Sequence, residues 1–218
     1  MGSILDESDR IAHDFDESAC EFCERYKNSG LSKSSSILLD LVAEDGIQGK
    51  SILDLGCGAG GFSVEALKRG GGNSFGIDLS AEMIKAAAEL GSASGLGEKA
   101  KFQPGNAATA ILPLSDIVVM DKVICCYSDI DLLLRNATEA SRGLLGFVVP
   151  RDDGIVKWPL RLGVRIMNFF QKRRRGILFY LHPLDSLDRT LKDFGFIRQR
   201  KQGSRFWLVF LYKRDIQK

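Results

Sequence analysis

The sequence predicts an α/β fold: a largely parallel sheet covered by helices on both faces and closed by an antiparallel hairpin. Three observations predict it. From Ser51 onward, short apolar runs alternate with helical patterns. Those runs are almost continuously apolar, as strands buried on both faces must be. The chain then ends in two strand-like runs around Gly203-Ser204.

The elements follow in order. Residues 5–30 are charged with Ile11, Phe15, Phe22 and Tyr26 interspersed, an amphipathic helix ending near Asn28-Ser29-Gly30. A second helix takes an N-cap from Ser34–Ser36 and an apolar face from Ile37, Leu38, Leu41 and Val42, and stops at Asp45-Gly46. "SILDLG" (51–56) is the first strand, and a helix over 61–69 is closed by Gly70-Gly71-Gly72. "SFGIDLS" (74–80) is the second strand. Ser80 caps the next helix, which has Glu82 in its first turn and buries Met83, Ile84, Ala87 and Ala88. "KFQPGNA" (101–107) makes a weaker third strand and "SDIVVMD" (115–121) a fourth. A helix over 130–142 leads to the fifth, "GLLGFVVP" (143–150). Residues 151–181 break the pattern: they are long, basic and aromatic. Leu184, Leu187, Leu191 and Phe194 then repeat at helical spacing up to Gly195. "FIRQRK" (196–201) and "RFWLVFLYKR" (205–214) form the closing hairpin. Crossovers between parallel strands are expected to be right-handed.

A chain of 218 residues with 44% hydrophobic and 27% charged residues suits one domain with a packed core. That domain spans 1–218, with 1–46 as a helical cap and 151–181 as an inserted lid. A net charge of +2 argues against nucleic acid as the general partner. No run approaches the roughly eighteen apolar residues that span a bilayer. The first residues lack the basic-then-apolar shape of a secretory signal, and Asp6 stands where an N-myristoylation motif wants Ser or Thr. The expectation is a soluble, cytoplasmic protein. Its five cysteines are expected to be free thiols. Cys20 and Cys23 form a lone CxxC with only His13 and His182 elsewhere, so no structural metal site is expected.

The glycine loop carries the chemistry. In "SILDLGCGAGGFSVEAL" (51–67), Gly56, Gly58 and Gly61 fit the dinucleotide fingerprint, and Gly56, Gly58 and Gly60 fit the pattern of S-adenosylmethionine (SAM) enzymes. A dinucleotide loop aims backbone N–H groups at a pyrophosphate. SAM has no phosphate; it carries a sulfonium, an ammonium, a carboxylate and a ribose. Asp54, inside the strand, suits the ammonium and would be an awkward neighbour for a pyrophosphate. Asp78, 22 residues after Gly56, can accept ribose hydroxyls in either kind of site. Asp54, the two helices before the first strand and the closing hairpin favour SAM. Gly61 reads as the first residue of a helix packed closely on the first strand.

"ILDLGCGAGG" followed by "GIDLSAEMI" resembles the first motif and its successor in class I SAM-dependent methyltransferases, and the likeness extends from about residue 35 to the end. It implies a Rossmann-like seven-stranded sheet of order 3-2-1-4-5-7-6 with the last strand antiparallel. It implies SAM as cofactor, with Asp54, Gly56, Cys57, Gly58 and Gly60 at the methionine part, Asp78 at the ribose, and Leu79 and Met83 at the adenine. Asn106 and Ala107 stand where the family often has an acid and its neighbour, and the Asn106 amide oxygen can accept from the adenine amino group. Asp121 is the corresponding residue at the end of strand four. "VVMDKVICCYSD" (118–129), "GFVVPRD" (146–152) and "LHPLDSLDRTLKDFGF" are together similar to the magnesium-protoporphyrin O-methyltransferase-like branch, which implies O-methylation, including that of a carboxylate. That branch tends to have a His just before the Tyr after strand four; here Cys125-Cys126 precede Tyr127.

The acceptor site in such a sheet lies beyond the carboxyl ends of the strands. The Asn/Asp-Pro-Pro-aromatic motif of enzymes acting on planar nitrogens is replaced by Met120-Asp121-Lys122, which disfavours such acceptors. Candidate catalytic groups are Tyr26, Asp121 and His182, with Lys122 and Tyr127 beside them; packing roles compete for Tyr26 and His182. In the insertion, Trp158, Leu162, Ile166 and Phe169 share a helical face beside Arg161, Arg165 and Lys172–Arg175. Three readings stand: a lid over an anionic or apolar acceptor, a peripheral membrane surface over 156–176, and a solvated basic helix. For the whole chain the leading expectation is methyl transfer from SAM to a small-molecule acceptor, at an oxygen. The alternatives are a SAM-binding accessory protein without turnover and an NAD(P)-dependent oxidoreductase.

Overall fold

The computed structural model describes residues 6–174 and 176–215. Seven strands form one sheet: β1 (Ser51–Leu55), β2 (Asn73–Asp78), β3 (Ala100–Pro104), β4 (Ser115–Asp121), β5 (Ser141–Pro150), β6 (Phe196–Gly203) and β7 (Trp207–Arg214). Their order is β3-β2-β1-β4-β5-β7-β6. The first five are parallel, and β7 runs antiparallel to both β5 and β6. The expected sheet order is therefore the one found.

The helices are α1 (Glu7–Ser29), α2 (Lys33–Gly46), α3 (Gly61–Lys68), α4 (Ala81–Ala93), α5 (Asp131–Ala140), α6 (Lys157–Arg174) and α7 (Leu184–Asp193). Two apolar clusters flank the sheet. Leu38, Leu39, Val42 and Phe62 cover one face of β1, β4, β5 and β7. Leu133, Leu134, Leu187 and Leu191 cover the other, over Val118, Leu145, Phe147 and Phe210. A sheet sealed on both faces exposes its strand ends, and ligands bind there. The edge strand β6 carries Arg198, Arg200 and Lys201 exposed, which protects an open edge against pairing with another chain.

Several boundaries differ from expectation for local reasons. The cap of α2 is Ser32, not Ser34–Ser36: its backbone is extended and its Oγ accepts the Ser35 N–H at 3.4 Å. The helix before β5 stops at Ala140 because Ser141 pairs with Ser115 across the sheet. β3 ends at Pro104, which has no N–H for a ladder. The hairpin turns at Ser204–Phe206, where the Ser204 N–H donates to the Trp207 carbonyl at 2.8 Å. Gly61 starts α3, which packs on β1 as expected. A Cβ there would lie 2.7 Å from the Tyr26 ring, so the glycine makes room for α1.

Candidate active site

The strand order reverses between β1 and β4, since the chain winds outward through β2 and β3 and then returns to the other side of β1. A cavity of about 570 Å³ opens at that switch point, under α1. The ends of β1 and β2 supply Asp54, Gly56, Cys57, Gly58, Asp78 and Leu79; α4 supplies Met83, and the loop after β3 supplies Ala107. The end of β4 and the turn after it add Asp121, Lys122, Cys125, Cys126 and Tyr127. Tyr26, Phe15, Phe22 and Arg25 of α1 form the roof, with Phe179 and Trp207 at the sides.

Asp54 is 1% exposed. Ser63, on the first turn of α3, donates its hydroxyl at 2.7 Å and its backbone N–H to this carboxyl. Asp54 thus occupies the helix N-terminus that a phosphate would occupy in a dinucleotide site. Burial pushes its pKa up to about 7, with Asp121 and Asp78 adding repulsion and Ser63 opposing the rise. A buried acid so close to neutral is poised to meet a ligand cation.

Asp78 accepts the Gly58 N–H at 2.8 Å on one oxygen and the Ser80 N–H at 2.9 Å on the other. Burial raises its pKa, and these backbone donors pull against the rise. The Gly56 and Cys57 N–H groups both donate to the Ile77 carbonyl, and Gly60 donates to Cys57. The N–H groups of Gly56, Cys57, Gly58 and Gly60 are therefore spent inside the protein and are not free to cradle a phosphate. The Asp78 carboxylate, with about four lone-pair sites, keeps acceptor capacity for a hydroxyl donor. Gly58 has φ +51° and open space where a Cβ would stand, so a ligand can approach its backbone.

Two expected cofactor residues stand apart from the cavity lining. Gly60 takes φ +78°, and a Cβ there would meet Ala87 at 2.9 Å and Phe102 at 3.0 Å; the turn and helix packing require glycine. The Asn106 amide oxygen accepts the Ala108 N–H at 2.9 Å and its nitrogen donates to Ser8 at 3.1 Å, so its side chain ties a turn to α1. Its neighbour Ala107 is the residue at the cavity wall.

Of the candidate catalytic groups, Tyr26 and Asp121 line the cavity and His182 does not. His182 Nε2 is 2.9 Å from the Tyr127 carbonyl oxygen, a contact that anchors the chain entering α7. Tyr26 donates its hydroxyl to Glu65 at 2.7 Å. Burial and that acidic partner push its pKa well above the ordinary phenol range. Burial likewise raises Tyr127. Asp121 is paired with Lys122 at 3.0 Å.

Sequence reasoning gave Lys122 little weight, yet it is the junction of the site. It is the only non-glycine residue with positive φ (64°) among those described. Its ammonium donates to Ser32 at 3.0 Å, Ser35 at 2.8 Å and Asp121 at 3.0 Å, fastening the start of α2 to the end of β4. The serine-rich run Ser32–Ser36 before an apolar helix is the signal in the sequence; only Ser34–Ser36 of it is expected to cap, and Ser32 is given no role there. Phe179 is the member of the 151–181 insertion that meets the cavity. No residue of α6 lines it. Among the described residues no group of three His, Cys, Asp or Glu side chains is arranged to hold a metal ion.

Comparison with known proteins agrees with this geometry. A family described as a methyltransferase domain matches residues 52–144, from β1 into β5. Ribosomal protein L11 methyltransferase of Pectobacterium atrosepticum is 26% identical over 131 residues, 59% of this chain and 44% of that protein. Ubiquinone biosynthesis O-methyltransferase of Psychrobacter arcticus is 44% identical over 61 residues, 28% of this chain and 23% of that protein. The chain spans less than half the length of these curated relatives. Among solved structures, magnesium protoporphyrin IX methyltransferase from Synechocystis PCC 6803 with bound S-adenosylhomocysteine aligns over 96% of this chain and 100% of its own. The TM-score is 0.75 at 18% identity. From β1 into β5 the chain matches a methyltransferase domain, and its sheet order is the one expected of class I SAM-dependent methyltransferases. Its fold resembles that of magnesium protoporphyrin IX methyltransferase.

Proposed function

We propose that this chain methylates a carboxylate oxygen of a small, largely apolar acceptor. The observation that carries the reading is the state of the cavity's own protons. Tyr26 and Tyr127 hold theirs far above neutral pH, Asp121 is paired with Lys122, burial raises the Cys57 thiol, and the hydrogen bond to Cys125 together with burial raises the Cys126 thiol. A phenol or alcohol acceptor must lose a proton to a base, and these protonated phenols and thiols cannot take one. SAM, when bound, supplies a methyl on a sulfonium, and its transfer to a carboxylate requires alignment but no proton removal.

The residues divide by role. Asp54 meets the cationic methionine end, and its charge is matched only when a cation is there. Gly56, Cys57 and Gly58 border the same portion. Asp78 accepts the ribose hydroxyls, and Leu79, Met83 and Ala107 flank the base. Tyr26 positions the acceptor and, with Phe15, Phe22 and Trp207, excludes water from it. Phe179 completes that enclosure from the inserted segment, which acts as a lid through this residue. The aromatic walls suit an apolar body, and Arg25 at the roof suits an anionic group.

The test is transfer of radiolabelled methyl from SAM to a panel of aryl and alkyl carboxylic acids and matched phenols. Label that becomes volatile in mild alkali marks a methyl ester. Label retained as an alkali-stable ether, with none in esters, would overturn the carboxylate reading while leaving SAM use intact.

A further inference from the structure

We propose that α6 is an interfacial anchor that docks the protein on the surface of an anionic lipid bilayer. The side of the helix toward the protein carries Arg161, Asn168 and the half-buried Leu160 and Val164, and its specific ties are polar. Arg161 makes a two-pronged ion pair with the buried Asp152, both contacts at 2.8 Å. Asn168 exchanges hydrogen bonds with the Phe179 backbone at 2.7 and 2.9 Å. No residue of α6 is buried. Its largest apolar residues face solvent: Trp158 is 75% exposed, Leu162 61%, Phe170 56%, Phe169 52% and Ile166 51%, with Ile155 just before the helix at 92%. An amphipathic helix normally turns that face inward. A contiguous exposed apolar face of this kind marks an interaction surface.

Charge selects the occupant. Residues 157–174 contain six Lys or Arg and no Asp or Glu. Lys157 and Arg161 face Asp152, but Arg165, Lys172, Arg173 and Arg174 make no ion pair among the described residues. Arg173 lies over the Phe169 ring at 4.0 Å, so cation and apolar face are one continuous surface. Aromatic and aliphatic side chains flanked by unpaired cations, with no acid, match acyl chains beneath anionic headgroups. A nucleic acid would use the cations and leave five large apolar side chains in water. No helix of the described residues is long and apolar enough to cross a membrane, so α6 lies on the surface and does not span it.

Docking does not depend on the carboxylate reading. Its consequence, that Phe179 at the cavity wall is held to a helix seated at the interface and an apolar acceptor can come from the lipid, rests on that reading.

The experiment is co-sedimentation of the full chain with vesicles of phosphatidylcholine alone and of phosphatidylcholine mixed with phosphatidylglycerol. The expected result is at least about tenfold tighter binding to the anionic vesicles, weakened by salt, with a blue shift of Trp158 emission that Trp158→Phe removes. Leu162→Glu with Phe169→Glu should abolish binding. Lys172→Ala with Arg173→Ala and Arg174→Ala should remove the anionic preference. Both variants should bind S-adenosylhomocysteine like the wild type, since α6 touches no cofactor residue. Wild-type protein that stays in the supernatant at every lipid composition overturns the proposal. So does a wild-type dimer that Leu162→Glu dissociates, because a second copy then covers the face.

Discussion

Asp54 is a single side chain with two opposed effects. Burial raises its pKa from 3.8 to about 7, so the folded protein favours the neutral acid more than the unfolded chain does. Its contribution to stability is therefore full below about pH 4 and is lost as pH rises through 7. Asp54→Asn should raise the stability of the cofactor-free protein at pH 8 by on the order of 1–4 kcal/mol, read by urea unfolding. The same change should remove most of the SAM affinity. A variant that loses stability at pH 8 would contradict the assigned cost. For binding the sign reverses. A ligand cation needs the ionised acid, so SAM affinity should fall by up to about tenfold per pH unit below 7. Calorimetric titrations from pH 6 to 8 would reveal this, and a flat profile would mean that Asp54 does not titrate against the ligand. Asp78 acts through hydrogen bonds. Asp78→Ala should weaken SAM binding by about 1–3 kcal/mol, since it strands the Gly58 N–H together with ligand hydroxyls.

Among the elements, α1 controls the site. It buries few residues of its own, Ile11 and Ala19, and is held down chiefly by polar ties. Asp16 accepts from Ser80 at 2.5 Å, Asp14 from the Ile177 N–H at 2.6 Å, Glu7 from the Ser128 N–H at 3.1 Å, and Tyr26 donates to Glu65. These ties join α1 to the elements beyond β1, β2, β4 and β5, so the roof registers the position of every wall. The Gly61–Tyr26 contact tests that coupling. Alanine normally improves a helix over glycine, yet Gly61→Ala places a methyl 2.7 Å from the Tyr26 ring. We expect a loss of about 1–3 kcal/mol and weaker SAM binding, both relieved when Tyr26→Ala is added. Additive losses in the double variant would mean that the two residues are not in contact.

For the molecule as a whole, the cavity is assembled from segments that are distant in sequence: α1, the ends of β1 and β2, the turn after β4, Phe179 and Trp207. A ligand seated there clamps them together and stabilises the fold by mass action. S-adenosylhomocysteine at a hundred times its Kd should add about 2.7 kcal/mol. For a chain of this size that is roughly 5–11 °C in melting temperature, measurable by scanning calorimetry. No shift under saturating ligand would count against this cavity as the cofactor site.

The strand-helix alternation, the apolar strands and the closing hairpin were legible because hydrophobic periodicity is local, and burial on both faces of a sheet leaves no other pattern. The Asp54–glycine loop–Asp78 arrangement was legible for the same reason: its members lie in two neighbouring strand ends. Roles that depend on partners far along the chain were not. Asn106 and His182 look free as letters, but one is bound to Ser8 and the other to Tyr127. Gly61 needed Tyr26, 35 residues upstream, to explain it, and Lys122 needed Ser32 and Ser35. In the insertion, the spacing of Trp158, Leu162, Ile166 and Phe169 established a helix with one apolar face. Only the tertiary structure decided that this face points outward, because helical periodicity fixes which residues share a side, whereas Asp152 and the Phe179 backbone determine which side turns to the protein.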